Sequence, residues 1–264
     1  VWARADDPLQ VPEDLEVPVP PYLPDNEVGQ QDVRQVYSNI KQMDGQVAAL
    51  MAELEEAGVL DSTIVFWYTD HGGPLPRQKR LLYDSGLHVP MIVRFPDGRR
   101  AGEVEDELVS FIDFKPTLLS LAGIEPPDYI DGRAFLGAYA ADEERGYIHA
   151  AADRFDEEYD MIRAVRDDQF KYLRNYQPEK PYYLPVAYRE QMPVMQELLR
   201  MQADGTLNEA QAQWFRTTKD PEELFDTEVD PHELNNLAGD PAYAEKLAEL
   251  SGEMDRWMDD IEDL

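Results

Sequence analysis

Apolar residues recur every three or four positions along residues 32–57, which predicts one long amphipathic helix early in the chain. Asp32 is its predicted N-cap and Gly58 its predicted end. The apolar face consists of Val33, Val36, Ile40, Met43, Val47, Leu50, Met51 and Leu54. Residues 1–30 are rich in proline, which fixes φ and removes amide donors, so we expect an extended connector there.

Three short apolar segments follow this helix and predict strands. Residues 64–69 show no alternation of apolar and polar positions, which is typical of a strand covered on both faces by helices. Residues 89–95 predict a second strand and residues 108–112 a third. Asp113 is the predicted cap of a further helix, which ends at Gly123. Because helix, short turn and apolar strand form the repeating unit of an α/β sheet, we predict an α/β fold for this part.

The pattern changes after residue 140, where short strands and turns replace the longer elements. The predicted elements are strands at 147–150, 161–166 and 170–174, a hairpin turn at 167–169, helical chain at 191–219, a strand at 224–226 and an amphipathic helix at 241–261. Strands joined by a tight turn pair in the antiparallel sense. We therefore predict two units: an α/β domain over residues 1–140, and a small α+β subdomain with an antiparallel sheet over residues 141–264.

The chain carries 55 acidic and 24 basic residues, for a net charge of -31. A charge of this sign opposes binding to nucleic acid and to anionic membranes, so we expect neither as a partner. The absence of cysteine excludes disulfides, thiolate metal sites and a cysteine nucleophile within these residues. No apolar run approaches the ~18 residues of a membrane span. Because the chain begins at Val1 without an initiator methionine or a leader, we expect it to be part of a longer polypeptide.

The segment at residues 64–73 reads IVFWYTDHGG and places Asp70 and His71 side by side where the predicted strand ends. In open α/β sheets, binding sites lie beyond the carboxyl ends of the strands. A carboxylate oxygen and an imidazole nitrogen are both metal ligands, and the glycine pair that follows lets the backbone bend so that both reach one ion. The pair therefore indicates a metal-dependent hydrolase. The alternative is a hydrogen-bonded turn aspartate beside a packed histidine.

Lys79 follows this pair in a loop that Pro74 and Pro76 stiffen. A lysine near a bound metal suits a tetrahedral oxyanion such as sulfate or phosphate, because its charge neutralises the non-bridging oxygens. We predict Lys79 as a catalytic residue, with a solvated surface lysine as the alternative. Arg77 belongs to the same basic cluster and is a candidate for substrate binding.

Two residues of the second part are further candidates for substrate contacts. His149 ends a predicted strand, and loops at strand ends often carry function. Arg154 is a candidate because guanidinium groups bind anions. His88 and His232 have the surroundings of packed or turn residues, so we assign them structural roles.

Several segments, in the same order, resemble the sulfatase family of the alkaline-phosphatase-like superfamily. Residues 69–72 (TDHG) resemble its Ser/Thr-Asp-Asn/His-Gly metal motif, and residues 109–121 resemble its Asp-x-x-Pro-Thr-Leu segment. Residues 223–237 resemble its carboxyl-terminal tail. The lead-in at residues 21–24 (PYLP) and the loop at residues 74–79 (PLPRQK) are most similar to the heparan N-sulfatase (sulfamidase)-like branch.

This resemblance implies an alkaline-phosphatase-like sheet sandwiched by helices, with Asp70 and His71 as ligands of a divalent cation. Calcium is the usual ion of the family. Asparagine is common where His71 stands, so the histidine leaves manganese or another transition metal as the alternative. Lys79 falls where the family places a basic residue on the sulfate. The implied activity is hydrolysis of sulfate from a sulfated sugar or glycan, and the implied location is periplasmic or secreted.

The family's nucleophile is a formylglycine made from the cysteine or serine of a Cys/Ser-x-Pro-x-Arg motif, and an N-terminal segment with an aspartate pair completes its metal site. Neither that motif nor that segment is present, so the resemblance implies a carboxyl-terminal portion that is inactive by itself. A phosphodiesterase or phosphonate hydrolase of the same superfamily stays open as an alternative. So does a catalytically incomplete binding module. The oligomeric state is not predicted.

Overall fold

The computed structural model describes residues 8–263, so the first seven residues of the predicted connector lie outside the described part. In chain order, its elements are α1 (Glu27–Glu56), β1 (Val65–Tyr68), α2 (Asp84–Leu87), β2 (Met91–Arg94), α3 (Phe114–Leu121), β3 (Ile148–Phe155), β4 (Glu158–Arg166), β5 (Phe170–Asn175), α4 (Pro193–Asp204), α5 (Glu209–Trp214), β6 (Glu222–Asp226) and α6 (Ala244–Asp260). None of the helices in this part of the chain combines the length and apolar character that crossing a bilayer requires.

Helix α1 begins earlier than predicted because Asn26 is its N-cap, with a side chain that accepts a hydrogen bond from Gly29 N at 3.1 Å. The prediction that Asp32 caps this helix is wrong. Asp32 is buried inside α1, and its carboxylate accepts a hydrogen bond from Val194 N at 2.8 Å. Val194 lies in the first turn of α4, so Asp32 caps a different helix that only tertiary packing brings to it. Near the predicted end, Gly58 adopts φ +68°.

Strands β1 and β2 lie where the sequence predicts them and pair in the antiparallel sense. Phe114 of α3 packs against Phe66 and Tyr68 of β1, with ring centroids 6.4 and 4.8 Å apart. Tyr68 of β1 is 44% exposed and Ile92 of β2 is 62% exposed, and the register places them on opposite faces of the pair. Exposed apolar side chains therefore lie on both faces.

Residues 108–112 do not form the predicted third strand. Ser110 and Asp113 form a capping box, in which Ser110 N donates to Asp113 Oδ2 at 2.8 Å and the Ser110 side chain accepts from the Asp113 amide. These local bonds turn the chain into a short 3₁₀ turn that leads into α3, so they compete with strand formation. The helix then ends near Gly123, which adopts φ +72°.

Strands β3, β4, β5 and β6 form one antiparallel sheet in that order, which confirms the predicted sheet of the second part. At the predicted hairpin turn, Gln169 N and Phe170 N donate to Asp167 Oδ1 at 2.9 and 2.6 Å. Helix α6 covers one face of the sheet, and its Leu250 and Met254 are fully buried there. Burial of this apolar face holds the helix on the sheet.

The helical chain predicted for residues 191–219 is divided into α4 and α5. Gly205 ends α4 in the left-handed conformation, at φ +68°. Asn208 then caps α5 and forms a capping box with Gln211. Two separate helices, α4 and α5, therefore form within the helical chain predicted there.

Buried contacts run across the predicted boundary at residue 140. Leu82, from the loop after β1, belongs to the same core cluster as Leu173 of β5. Leu23 and Val33 share a second cluster with Leu198 of α4. The division of the chain into two units stays a prediction.

Candidate active site

Close backbone packing holds the chain that follows Asp70 and His71. Gly72 N donates to Gly86 O at 2.8 Å, and Gly73 N donates to Ser85 O at 3.1 Å. A Cβ atom on Gly72 would lie 2.0 Å from Ser85 O, so only glycine permits this approach. The end of β1 is thereby tied to α2.

The His71 ring is oriented by a bond to its own neighbour, since Nδ1 lies 2.9 Å from Gly72 O. A carbonyl oxygen only accepts hydrogen bonds, so Nδ1 carries a proton, and Nε2 is the ring nitrogen that can bind a metal. Nε2 lies 3.6 Å from Asp70 Oδ1, which is too long for a hydrogen bond. The Asp70 side chain is 87% exposed. Two electron-pair donors therefore lie side by side at the end of β1.

This spacing fits two ligands of one cation. Metal–nitrogen and metal–oxygen bonds of about 2.0 to 2.5 Å place neighbouring ligand atoms about 3 to 3.6 Å apart. Across residues 8–263, no group of three or more His, Asp and Glu side chains is arranged to hold a metal. Asp70 and His71 consequently fit part of a metal site, and further ligands are needed to complete it.

The loop after Gly73 returns to its starting point, because Lys79 N donates to Gly73 O at 2.9 Å. Gln78 braces the loop from inside: its Oε1 accepts from Leu75 N at 3.0 Å, and its Nε2 donates to Tyr22 OH at 3.2 Å. The Lys79 ammonium makes no hydrogen bond or ion pair with the side chains of residues 8–263. The loop thus brings Lys79 back toward the Asp70–His71 pair, and its catalytic role stays a prediction.

Arg77, a predicted substrate contact, is only 5% exposed. Its guanidinium donates to His232 O at 2.8 Å and to Glu233 O at 2.7 Å, and its Cζ lies 4.0 Å from the Tyr83 ring centroid. These contacts engage the guanidinium and connect the loop to the turn after β6. The packing argues against the substrate contact that its charge suggested.

His149 is likewise engaged within the fold. Its Nε2 lies 2.9 Å from Glu253 Oε1, and its ring stacks on Trp257 with centroids 4.8 Å apart. Burial lowers the pKa of this histidine below its ordinary value, against the opposing effect of Glu253. The structure gives His149 a role in the contact between β3 and α6 and argues against a place in a substrate pocket.

Arg154 lies exposed near the tip of the β3–β4 hairpin. Its Nε donates to Asp156 O at 2.9 Å, and the carboxylate of the same Asp156 lies 2.7 Å from Arg80 Nη1. The structure therefore brings Arg154 close to the loop that carries Lys79, although many residues separate them in sequence.

A buried ionic network behind the loop was not predicted. Lys171 of β5 is 1% exposed; its ammonium lies 2.9 Å from the Glu233 carboxylate and also contacts Asp84. Glu233 accepts a hydrogen bond from Asp84 N at 2.7 Å. Burial alone would raise the pKa of Asp84, but Lys171 and Arg166 lower it below its ordinary value. The network fixes the start of α2, and α2 in turn holds the glycines beside His71.

Similarity to a solved structure defines the class of protein: the chain has the alkaline-phosphatase-like fold. BT4656, solved in complex with its substrate D-glucosamine-2-N,6-O-disulfate, matches with a TM-score of 0.67 and 23% identity and covers 91% of this chain and 44% of that one.

Two family models identify the family. The model described as Sulfatase matches residues 7–124, and the model described as N-sulphoglucosamine sulphohydrolase, C-terminal, matches residues 77–201. The chain belongs to the sulfatase family.

Two relatives show how much of the family's length is present. An ulvan-active sulfatase of Formosa agariphila is 55% identical over 261 residues, which cover 99% of this chain and 44% of that protein. The N-sulphoglucosamine sulphohydrolase of Homo sapiens is 28% identical over 258 residues, which cover 92% of this chain and 51% of that protein. The chain thus spans about half the length of these curated relatives.

Proposed function

We propose that the full-length protein hydrolyses sulfate groups of a sulfated glycan, and that Asp70, His71 and Lys79 belong to its active site. The observation that carries this proposal is the pair of lone-pair donors 3.6 Å apart, Asp70 Oδ1 and His71 Nε2. A carboxylate oxygen and an imidazole nitrogen at this distance are spaced as two ligands of one divalent cation. Membership of the sulfatase family supports the same reading.

The three residues have separate tasks in this proposal. Asp70 and His71 would be two ligands of the cation, and the bond from His71 Nδ1 to Gly72 O fixes the orientation of the imidazole ring. A bound divalent cation supplies charge that polarises the sulfate oxygens. Lys79 donates to the non-bridging oxygens of the sulfate and offsets the charge that moves to the leaving oxygen or nitrogen. Calcium is the ion we favour, and manganese is the alternative because imidazole suits transition metals.

We further propose that the nucleophile and the remaining ligands come from another segment of the full-length protein. The Cys/Ser-x-Pro-x-Arg motif, which supplies formylglycine in the family, does not occur in these residues. Exposed apolar residues near the donor pair support this proposal, since large apolar patches mark contact surfaces. Tyr68 and Phe111 contact each other on one face of the β1–β2 pair, with ring centroids 5.8 Å apart, and Ile92 is exposed on the opposite face.

For the substrate, we propose a sulfated polysaccharide with O-linked sulfate. The relative that supports this choice is 55% identical and is named an ulvan-active sulfatase. N-sulfated glucosamine is the second choice, because the human relative at 28% identity is an N-sulphoglucosamine sulphohydrolase. The two linkages share the sulfate that Lys79 would contact.

The experiment is a substrate panel for the full-length protein, with released sulfate or phosphate as the readout. The panel contains ulvan oligosaccharides, N-sulfated glucosamine, a phosphodiester and a phosphonate monoester. We expect sulfate release, and we expect Lys79→Ala to lower kcat/KM about 100- to 1,000-fold, as for other removed oxyanion donors. Lys41→Ala is the matched control, because Lys41 is exposed on α1, outside the end of β1.

Each outcome decides a part of the proposal. Cleavage of the phosphorus substrates without sulfate release would reject the sulfatase assignment in favour of a phosphohydrolase. Failure to cleave any of them would support a binding module. Sulfate release that Lys79→Ala leaves unchanged would remove Lys79 from the active site.

A further inference from the structure

Glu233, in the turn after β6, adopts a backbone conformation that is rare for a residue with a side chain. Its φ is +53°, and it is only 1% exposed. Asp230 braces the turn: its carbonyl oxygen accepts from Glu233 N at 2.9 Å, and its Oδ2 accepts from Leu234 N and Asn235 N at 2.7 Å. Backbone strain persists only where the surroundings fix it, and it clusters at functional sites. The strained turn therefore points to a task for Glu233 beyond packing.

The Glu233 carboxylate holds the first residue of α2. Its Oε2 accepts from Asp84 N at 2.7 Å, and its Oε1 lies 2.9 Å from Lys171 Nζ. Lys171 also pairs with the Asp84 carboxylate. Both oxygens of the Glu233 carboxylate are thus engaged, so this side chain fixes where α2 begins.

Helix α2 carries this position to the end of β1. The carbonyl oxygens of Ser85 and Gly86 accept from Gly73 N at 3.1 Å and from Gly72 N at 2.8 Å. The carbonyl oxygen of Gly72 in turn lies 2.9 Å from His71 Nδ1. A displacement of α2 therefore changes the orientation of the His71 ring.

The backbone carbonyl of Glu233 holds the loop that carries Lys79. It accepts from Arg77 Nη2 at 2.7 Å, while His232 O accepts from Arg77 Nη1 at 2.8 Å. Arg77 lies two residues before Lys79 and adopts φ +62°. Its own carbonyl oxygen accepts from Ser85 Oγ at 2.8 Å, which ties the loop to α2 as well. One buried residue thus contacts both the helix behind His71 and the loop of Lys79.

We propose that Glu233 is a positioning residue for the reaction: its carboxylate orients His71 through α2, and its carbonyl oxygen sets the position of Lys79 through Arg77. This inference rests on the proposed function. Metal ligands depend on the groups that orient them, and replacing such a group weakens metal binding or activity about 10- to 100-fold. Because both arms start from one residue, the donor pair and Lys79 stay in register with each other.

Two double variants of the full-length protein separate this role from that of the buried charges. Lys171→Met/Glu233→Gln removes the ion pair and keeps an oxygen that can accept from Asp84 N. Lys171→Met/Glu233→Leu removes the ion pair and the acceptor. Both variants remove the two partners together, which proteins tolerate better than the loss of one partner. Asp84 keeps Arg166, whose Nε is 3.4 Å from Oδ1, as a partner in both.

The readout is the affinity of the metal-stripped protein for Ca²⁺ and for Mn²⁺, measured by calorimetry, with urea unfolding to verify that each variant is folded. We expect the glutamine variant to bind within about twofold of wild type and the leucine variant about 10- to 100-fold more weakly. Asp160→Leu/Lys219→Met is the matched control, because it removes another buried ion pair, 2.7 Å apart, that connects β4 to the chain before β6. This control should leave the metal affinity unchanged.

The second arm is tested by Arg77→Met, which removes both donors to the turn after β6. We expect kcat for sulfate release to fall about 10- to 100-fold because Lys79 is displaced, while the metal affinity is retained. Arg77→Lys should recover part of kcat, since it can still donate to one of the two carbonyl groups. Arg163→Met is the matched control, because Arg163 is 3% exposed and its partners are Asp153 and Asp263.

Equal metal affinity in the two double variants, whether retained or weakened in both, would overturn the role of the carboxylate. An equally large loss in the control pair would also overturn it, because it would show a general structural effect. An unchanged kcat in Arg77→Met, or a loss of metal affinity as large as the loss of kcat, would overturn the role of the carbonyl oxygen. A wild type that neither binds these ions nor releases sulfate rejects the proposed function together with this inference. Metal binding and sulfate release that the variants leave unchanged reject the inference alone.

Discussion

Glu223 on β6 provides a test of how burial affects the ionisation of a carboxyl group in the core of the fold. Its side chain is only 3% exposed, and burial raises its pKa to about 7 although a hydrogen bond from Asn175 and the charge of Arg77 oppose the rise. The Asn175 amide donates to Glu223 Oε1 at 2.6 Å, and Tyr83 OH lies 3.4 Å from Oε2. The carboxyl therefore binds its proton more tightly in the folded chain than in the unfolded one.

The size and sign of the effect follow from this shift. An ordinary glutamate pKa of 4.5 and a folded pKa of about 7 differ by roughly 2.5 units, which corresponds to about 3 kcal/mol of unfolding free energy. Because the folded pKa is the higher one, this stability is complete below the ordinary pKa. It is lost as the pH rises through about 7. Glu223→Gln keeps an acceptor for Asn175 and cannot ionise, so the variant should not show this loss.

The assay is urea unfolding of wild type and Glu223→Gln at about pH 5 and about pH 8.5. We expect the difference between their unfolding free energies to change by about 2 to 3 kcal/mol in favour of the variant at the higher pH. Glu53→Gln is the matched control, because it makes the same substitution at an exposed position on α1. If the unfolding free energies of wild type and Glu223→Gln change in parallel with pH, the reasoning is refuted, since Glu223 would then have the same pKa in the folded and unfolded states.

Two further predictions concern the end of β1. Gly72→Ala should destabilise the fold by several kcal/mol in urea unfolding, because its Cβ would lie 2.0 Å from the Ser85 carbonyl oxygen. Gly45→Ala is the control, because a Cβ there meets nothing within 4 Å, and this variant should gain about 0.5 to 1 kcal/mol of unfolding free energy. Equal stability of the two variants would contradict the close packing at Gly72. Asp70→Ala should reduce the calcium or manganese bound to the full-length protein, measured by elemental analysis, because it removes one of two ligands. Asp44→Ala on α1 serves as its control, and an unchanged metal content would exclude Asp70 as a ligand.

Local sequence signals predicted most of the elements. The three- and four-residue periodicity of α1 and α6 reports the face that each helix buries, and that face is set by helix geometry alone. The turn before β5 was predictable because the Asp167 side chain bonds to the next amides within the same few residues. The Asp70–His71 pair was found because both donors come from one strand end.

Other features were missed although their signals were local. The capping box of Ser110 and Asp113 replaces the third strand, and the spacing of these two residues is visible in the sequence. Gly205 and the capping box that starts at Asn208 divide the predicted helical chain in the same way. Polar capping decides the structure in both places.

The sequence by itself determined where helices and strands form and which residue types offer metal and sulfate chemistry, because hydrophobic period and side-chain chemistry act over a few residues. Only the tertiary structure decided which charges stay available. Arg77 is taken up by the carbonyl groups of His232 and Glu233, far along the chain, whereas Arg154 stays exposed beside the loop of Lys79. The physical reason is that burying a charge requires partners, and those partners meet only when the chain has folded.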